Sequence, residues 1–154
     1  MDRREFALGL GAMALAGGLA RAEDHVHGKT PPPPPAPPVS KELRAVLDAT
    51  EHCLRTGQVC VSHCNRLLAA GDTSLAECQR TALNMLAVCE ATFKTAALHT
   101  ADAALQKALA RVCADYCRAC AKACEPHAPH HEECKACLAS CQECAKACDA
   151  FAAV

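Results

Sequence analysis

Cysteine is the residue of this chain best suited to chemistry, because fourteen cysteines recur at helical intervals. Successive cysteines from Cys113 to Cys124, and again from Cys134 to Cys148, lie three or four residues apart. Since an α-helix turns once in about 3.6 residues, this spacing places the thiols on one stripe of each helix. Thiols that face one another inside a helical bundle form a site for a soft metal ion. The candidate ligands are Cys53, Cys60, Cys64, Cys78, Cys89, Cys113, Cys117, Cys120, Cys124, Cys134, Cys137, Cys141, Cys144 and Cys148.

The segments that carry these cysteines have the pattern of four long helices joined by short loops. Ser40 is a candidate N-cap of the first helix, and Thr73 or Ser74 is one for the second, with Glu77 as the capping-box partner of Ser74. No segment shows the period-two alternation of a β-strand. The sequence therefore predicts an all-α fold, an antiparallel four-helix bundle with a cysteine-lined core. The predicted helices span residues 40–70, 74–99, 101–125 and 130–151.

The residues before the first helix predict two further regions. Arg3 and Arg4 precede a short apolar run that ends at a small-residue cleavage pattern, so residues 1–22 are predicted to be a twin-arginine signal peptide. Residues 23–39 are rich in proline and predict an extended arm. We accordingly expect an exported, periplasmic or extracytoplasmic protein with no membrane segment after cleavage, whose metal-binding domain is residues 40–151.

The two ends of the predicted bundle differ in composition. The end where the first and third loops meet carries four cysteines and a set of histidines, and the opposite end is apolar. We predict that the metal ion enters at the histidine-rich end, with accessory ligands among His63, Met85, His127, His130 and His131. The residues expected to form an apolar plug at the far end are Leu43, Val46, Leu47, Phe93, Leu105, Leu109, Val112 and Phe151.

Three interpretations of the cysteines compete. Disulfides suit an exported, cysteine-rich chain, but neighbours on one helical stripe have nearly parallel side chains and cannot readily pair with each other. Zinc or iron–sulfur sites use turns that wrap the metal, whereas these spacers are helix formers, and fourteen thiols exceed one or two such sites. Multiple Cu(I) ions bound by thiolates account best for the regular spacing. A disulfide-stapled structural or interaction module remains the alternative.

Other classes of function receive little support. The net charge of −1 gives no electrostatic basis for binding nucleic acid. No acid, base or substrate cleft is indicated beside the cysteines, so we expect no enzymatic activity. A thiol–disulfide oxidoreductase would need one exposed pair of low pKa and not a buried ladder of thiols.

The cysteine pattern resembles that of the copper storage proteins over residues 40–151. The resemblance rests on repeated CxxxC pairs, and it implies a four-helix bundle that stores many Cu(I) ions through cysteine thiolates. It also implies a homotetramer, and together with the paired arginines it points to the exported branch of the family. The pairs are Cys60/Cys64, Cys113/Cys117, Cys120/Cys124, Cys137/Cys141 and Cys144/Cys148.

Overall fold

The computed structural model describes Pro35 and residues 38–98 and 101–154, which include all fourteen cysteines. The predictions made for residues 1–22, and for nearly all of residues 23–39, lie outside this part of the chain. None of the described helices is both long enough and apolar enough to cross a membrane.

The described residues form four α-helices and no strand, as the sequence predicted. The first begins after Ser40, whose side chain accepts a hydrogen bond from the backbone N–H of Leu43, so the predicted N-cap is confirmed. Gly71, with a φ of 92°, follows the end of this helix and makes the left-handed turn that glycine adopts without strain. The helices are α1 (Lys41–Ala69), α2 (Ala76–Leu98), α3 (Ala103–Cys124) and α4 (Glu132–Ala153).

The start of α2 differs from the prediction. The capping box of Ser74 and Glu77 does not form, because the Glu77 carboxylate binds the guanidinium of Arg80 instead. The backbone N–H of Ser74 donates to the carboxylate of Asp72, which folds residues 72–74 into a turn. The helix consequently begins at Ala76, two residues later than the sequence indicated.

The four helices enclose one core with a square cross-section. α1 packs against α2 and α4, and α3 packs against the same two helices, so α1 and α3 stand diagonally opposite. The core contains few large side chains, and cysteine and alanine fill most of it. Because both residues are small, the interior of the bundle is a column of sulfur atoms along its axis.

The far end of the bundle departs from the predicted apolar plug. Val46 and Phe151 are buried there, but Leu105 is 68% exposed and Val112 is 44% exposed. Small residues fill the interior of α3 at this end, since Ala110 and Ala114 are fully buried. The prediction that Leu105 and Val112 contribute to a plug is therefore wrong.

Candidate metal centre

Every cysteine in the chain points into the core. All fourteen side chains are free thiols, and each residue is 0% exposed. The helical spacing accounts for this arrangement, because steps of three and four residues return to the same face of each helix. The core thus contains an unbroken set of reduced soft ligands with no disulfide among them.

The thiols form five groups, and within each group the sulfur atoms all lie within 4.8 Å of one another. A mouth group, nearest the first and third loops, draws on α1, α2 and α4. A central tetrad takes one thiol from each helix, a far group lies in α3 and α4, and two linking groups lie between. The mouth group is Cys60, Cys64, Cys78 and Cys134; the central tetrad is Cys53, Cys89, Cys117 and Cys144; the far group is Cys113, Cys144 and Cys148; and the linking groups are Cys60, Cys124 and Cys137, and Cys120, Cys137 and Cys141.

These groups form one continuous network. Cys60 belongs to the mouth group and to one linking group, and Cys137 belongs to both linking groups. The Sγ of Cys141 lies 3.6 Å from the Sγ of Cys53, which connects the second linking group to the central tetrad. Cys144 then joins the tetrad to the far group. An ion bound at one end therefore has a sulfur ligand within reach at every step to the other.

Hydrogen bonds between the thiols lower the pKa of some cysteines and raise the pKa of others. Hydrogen bonds from Cys117 hold the pKa of Cys53 and of Cys113 well below that of an ordinary thiol. A hydrogen bond from Cys120 acts in the same direction on the pKa of Cys124. Burial is the main cause that raises the pKa of Cys64. The thiols of the metal-free core therefore differ in acidity according to their hydrogen-bond partners and their burial.

Met85 places a thioether inside the network. It is fully buried, and its Sδ lies 3.3 Å from the Sγ of Cys53 and 3.5 Å from the Sγ of Cys89. Gly57 on α1 makes room for it, because a Cβ at that position would come within 2.7 Å of the Met85 methyl carbon. Spacing alone did not reveal the role of Gly57, since a glycine within a cysteine stripe has no distinguishing pattern.

Three of the four predicted histidines meet at the mouth end. His63 Nε2 lies 3.0 Å from His131 Nδ1, and the rings of His127 and His131 have centroids 6.4 Å apart. His63 directly precedes Cys64, and His131 stands three residues before Cys134. The histidines therefore lie directly beside the mouth group. His130 is exposed, and its backbone N–H donates a hydrogen bond to the backbone carbonyl of His127.

Two charged residues that the sequence did not single out hold this histidine cluster. Arg66 Nη2 lies 3.1 Å from His63 Nδ1, and Glu133 Oε1 lies 3.2 Å from the same nitrogen. His63 therefore has an acceptor for its Nδ1 proton when it is protonated and a donor when it is not. A hydrogen bond from its own backbone N–H is the main cause of the lowered pKa of Glu133, and the nearby guanidinium of Arg66 contributes to it.

The sequence of this chain matches the family profile described as copper storage protein, over residues 39–153. The chain belongs to the copper storage protein family. A comparison with curated protein sequences finds no match.

Solved structures of this family have the same fold. The copper storage protein of Streptomyces lividans loaded with 10 copper equivalents is 30% identical, with a TM-score of 0.70, over 78% of this chain and 92% of that chain. A structure of the cytosolic copper storage protein from the same organism, with five coppers, is 30% identical with a TM-score of 0.68, over 73% of this chain and 93% of that chain. Apo copper storage protein 3 from Bacillus subtilis is 26% identical with a TM-score of 0.60, over 71% of this chain and 97% of that chain.

These matches confirm the predicted family, the fold class and the storage of copper as the function of this family member. They contradict the predicted export. The Streptomyces lividans protein is a cytosolic storage protein, so the expectation of a twin-arginine, periplasmic location is wrong. Paired arginines before a short apolar run are a pattern of low specificity.

Proposed function

We propose that the thiolates of all fourteen cysteines are the ligands with which this protein stores several Cu(I) ions, and that residues 40–151 are the storage domain. The observation that carries this proposal is the continuity of the five thiol groups, which together include every cysteine. Cu(I) is the cargo of the protein, and thiolate is the soft ligand that selects it. Each bound ion replaces thiol protons, so loading also removes the cost of burying uncompensated thiolates.

The proposed role is capacity and not catalysis. The cysteine ligands are fully buried, so none of them is exposed to a substrate in solution. A groove on the surface of α3 and α4 is lined by Arg111, Asp115, Arg118 and Asp149 and not by cysteine. An enzyme would need a reacting group beside an open coordination position.

The proposed entrance is the histidine cluster formed by His63, His127 and His131 beside the mouth group. Imidazole nitrogens bind copper and exchange it readily, and the cluster is the polar end of a column that is otherwise lined by sulfur. Met85 is the proposed accessory ligand at the centre, where its thioether lies within 3.5 Å of two thiols. His130 is proposed as a solvent-facing ligand only, since it is exposed.

We also propose that the protein assembles as a homotetramer, as the family resemblance implies. The supporting feature is an apolar stripe on the outer face of α3, formed by Leu105, Val112 and Tyr116 at steps of seven and four residues. Light scattering after size-exclusion chromatography would give four times the chain mass. A monomeric mass at micromolar concentration would contradict this part of the proposal.

Copper storage is tested by anaerobic titration of the reduced, metal-free protein with Cu(I) against a chromogenic chelator. We expect uptake of many equivalents per chain, and thiol counting before the titration should find all fourteen cysteines reduced. Protein with alkylated cysteines is the control and should take up almost none. Saturation after one or two equivalents, with every thiol reduced, would show that the groups do not act as a store.

The entrance is tested by the rate of uptake. Replacing His63 and His131 together with Ala should slow Cu(I) transfer from a chelator without changing the final capacity. His52→Ala is the matched control, because His52 on α1 is only partly buried and pairs with Glu143 away from the mouth. Equal slowing by both variants, or a loss of capacity in the double variant alone, would contradict a role in entry.

A further inference from the structure

The central tetrad differs from the other thiol groups because each of the four helices contributes one ligand. Cys53, Cys89, Cys117 and Cys144 come from α1, α2, α3 and α4 in turn, and their sulfur atoms all lie within 4.8 Å of one another. The mouth group also has four thiols, but two of them belong to α1. Ligands that approach from four sides of a bundle surround a single point, which is the requirement for tetrahedral coordination.

The dimensions of the tetrad suit a divalent ion. A zinc–thiolate bond is about 2.3 Å long, so a regular tetrahedron of four sulfurs has edges of about 3.8 Å. The Sγ atoms of Cys89 and Cys117 are already 3.7 Å apart. The other pairs of sulfur atoms in the tetrad also lie within 4.8 Å. Side-chain rotations that move each sulfur atom by a few tenths of an ångström would therefore complete a regular tetrahedron. A tetrahedral set of four sulfurs is typical of zinc and of iron–sulfur sites.

Neighbouring thiols support the charge that such a site would carry. Four thiolates around a divalent cation leave a net charge of −2, which needs hydrogen-bond donors in a buried site. Cys141 lies 3.6 Å from Cys53, and Cys113 lies 3.6 Å from Cys89. Neither belongs to the tetrad, and each lies within hydrogen-bonding distance of one of its sulfur atoms. The core therefore places two further sulfur atoms beside the tetrad that can exchange S–H hydrogen bonds with it.

We propose that the central tetrad binds one thiophilic divalent cation per chain, Zn²⁺ or Cd²⁺, in tetrahedral coordination. This is a second metal-binding activity beyond copper storage, and it rests on the thiol geometry alone. Binding displaces the protons that the four thiols still carry. The bound ion cross-links the bundle at its centre through all four helices.

The test uses Co²⁺ as a spectroscopic probe of the reduced, metal-free protein under anaerobic conditions. The first equivalent of Co²⁺ should produce the intense visible absorption of a tetrahedral thiolate site, and one equivalent of Zn²⁺ should abolish it. Cys117→Ser removes a ligand that belongs only to the tetrad, and it should weaken this binding about tenfold or more. Cys64→Ser, equally buried but only in the mouth group, is the matched control and should keep it.

Thermal unfolding of the unaltered protein gives a second test that needs no variant. One equivalent of Zn²⁺ should raise the Tm, because an ion that binds only the folded state stabilises it by mass action. An octahedral Co²⁺ spectrum, an unchanged Tm, or equal loss of binding in Cys117→Ser and Cys64→Ser would each overturn the proposal. Helical circular dichroism of both variants shows that they are folded, and Cys53→Ser replaces Cys117→Ser should the latter unfold. Copper storage is judged separately, by Cu(I) titration of the unaltered protein.

Discussion

The two helical hairpins of this bundle contribute unequally to the same thiol column. α3 and α4 supply nine of the fourteen cysteines, and α1 and α2 supply five. The far group and one linking group consist of α3 and α4 thiols alone. By contrast, none of the five groups lies entirely within α1 and α2. The α3–α4 hairpin therefore forms a metal-binding wall of its own, and the α1–α2 hairpin completes it.

The α1–α2 hairpin has fewer cysteines because other residues occupy part of its core-facing stripe. Gly57 occupies the core stripe of α1 between Cys53 and Cys60, and Met85 and Ala82 occupy that of α2 between Cys78 and Cys89. Gly57 and Ala82 have no ligand atom, and Met85 offers a neutral thioether. At the level of Gly57 and Met85, the α1–α2 hairpin therefore has no cysteine, and the side chain of Met85 fills the space. The comparison shows that a storage core needs continuity of sulfur and not an equal share from each helix.

The largest expected effect is on copper capacity. Replacing the nine cysteines of α3 and α4 with serine leaves no complete thiol group, so Cu(I) capacity should fall by well over half. Replacing the five cysteines of α1 and α2 leaves the far group and one linking group intact, so the loss should be smaller. Anaerobic Cu(I) titration measures both, after circular dichroism has shown that each variant is helical. If both variants lost the same Cu(I) capacity, the two hairpins would contribute equally to storage, which would contradict this prediction.

The next effect is on the stability of the metal-free protein at alkaline pH. Hydrogen bonds from Cys113 and Cys144, together with burial, raise the pKa of Cys148, and burial raises that of Cys64. Such thiols stay protonated in the folded state, whereas thiols of the unfolded chain ionise near pH 8.5 or so. The unfolded state therefore binds fewer protons above about pH 8.5, and the free energy of unfolding should fall as the pH rises.

The thiols of lowered pKa do not reverse this trend. The stabilisation that comes from Cys53, Cys113 and Cys124 is already complete above the pKa of an unfolded thiol, and it is lost only as the pH falls. Urea denaturation between about pH 9 and 10, above the pKa of an unfolded thiol, measures the slope in a reducing buffer. Copper-loaded protein is the control and should lack the slope, because its thiols carry no protons to lose. A metal-free protein whose stability rises with pH would contradict the assignment.

Much of this architecture was predictable from the sequence because a single repeating residue marks the core face. Cysteine at steps of three and four fixes which side of each helix points inward, and it gave helix boundaries within about two residues of those observed. The predicted gathering of thiols at the mouth was also correct, since the sulfur atoms of Cys78 and Cys124 lie 3.4 Å apart. These inferences needed only helical periodicity and an antiparallel topology.

Features that depend on packing between helices could not be predicted in this way. The contact of Met85 with Cys53 depends on the rotation of α2 about its axis and on the absence of a side chain at Gly57. Periodicity misplaced Leu105 and Val112, because alanines at neighbouring positions turn α3 so that these larger residues face outward. The ion pair between Arg66 and Glu133 joins residues 67 positions apart and leaves no signal in the spacing.

The space that Gly57 provides for Met85 gives the third prediction. Gly57→Leu places a side chain where a Cβ alone would come within 2.7 Å of Met85 and 2.9 Å of Leu86, so it should destabilise the protein by about 1–3 kcal/mol. Adding Met85→Ala should recover part of that loss, because it vacates the space that the new side chain needs. Urea denaturation of both variants measures the change. A single variant as stable as the parent would show that Met85 is not held by close packing.

The smallest effect concerns a hydrogen bond between the two hairpins. Thr56 of α1 and Ser140 of α4 join their hydroxyl groups beside the thiol column, and Ser140 is 1% exposed. Ser140→Ala should cost about 0.5–1.5 kcal/mol in the free energy of unfolding and leave copper capacity unchanged, because no sulfur ligand is lost. Thr95→Ala is the control, since the hydroxyl of Thr95 bonds only within its own helix. If Ser140→Ala were to lower copper capacity while stability stayed constant, then the hydroxyl would serve the metal site and not the joining of the hairpins.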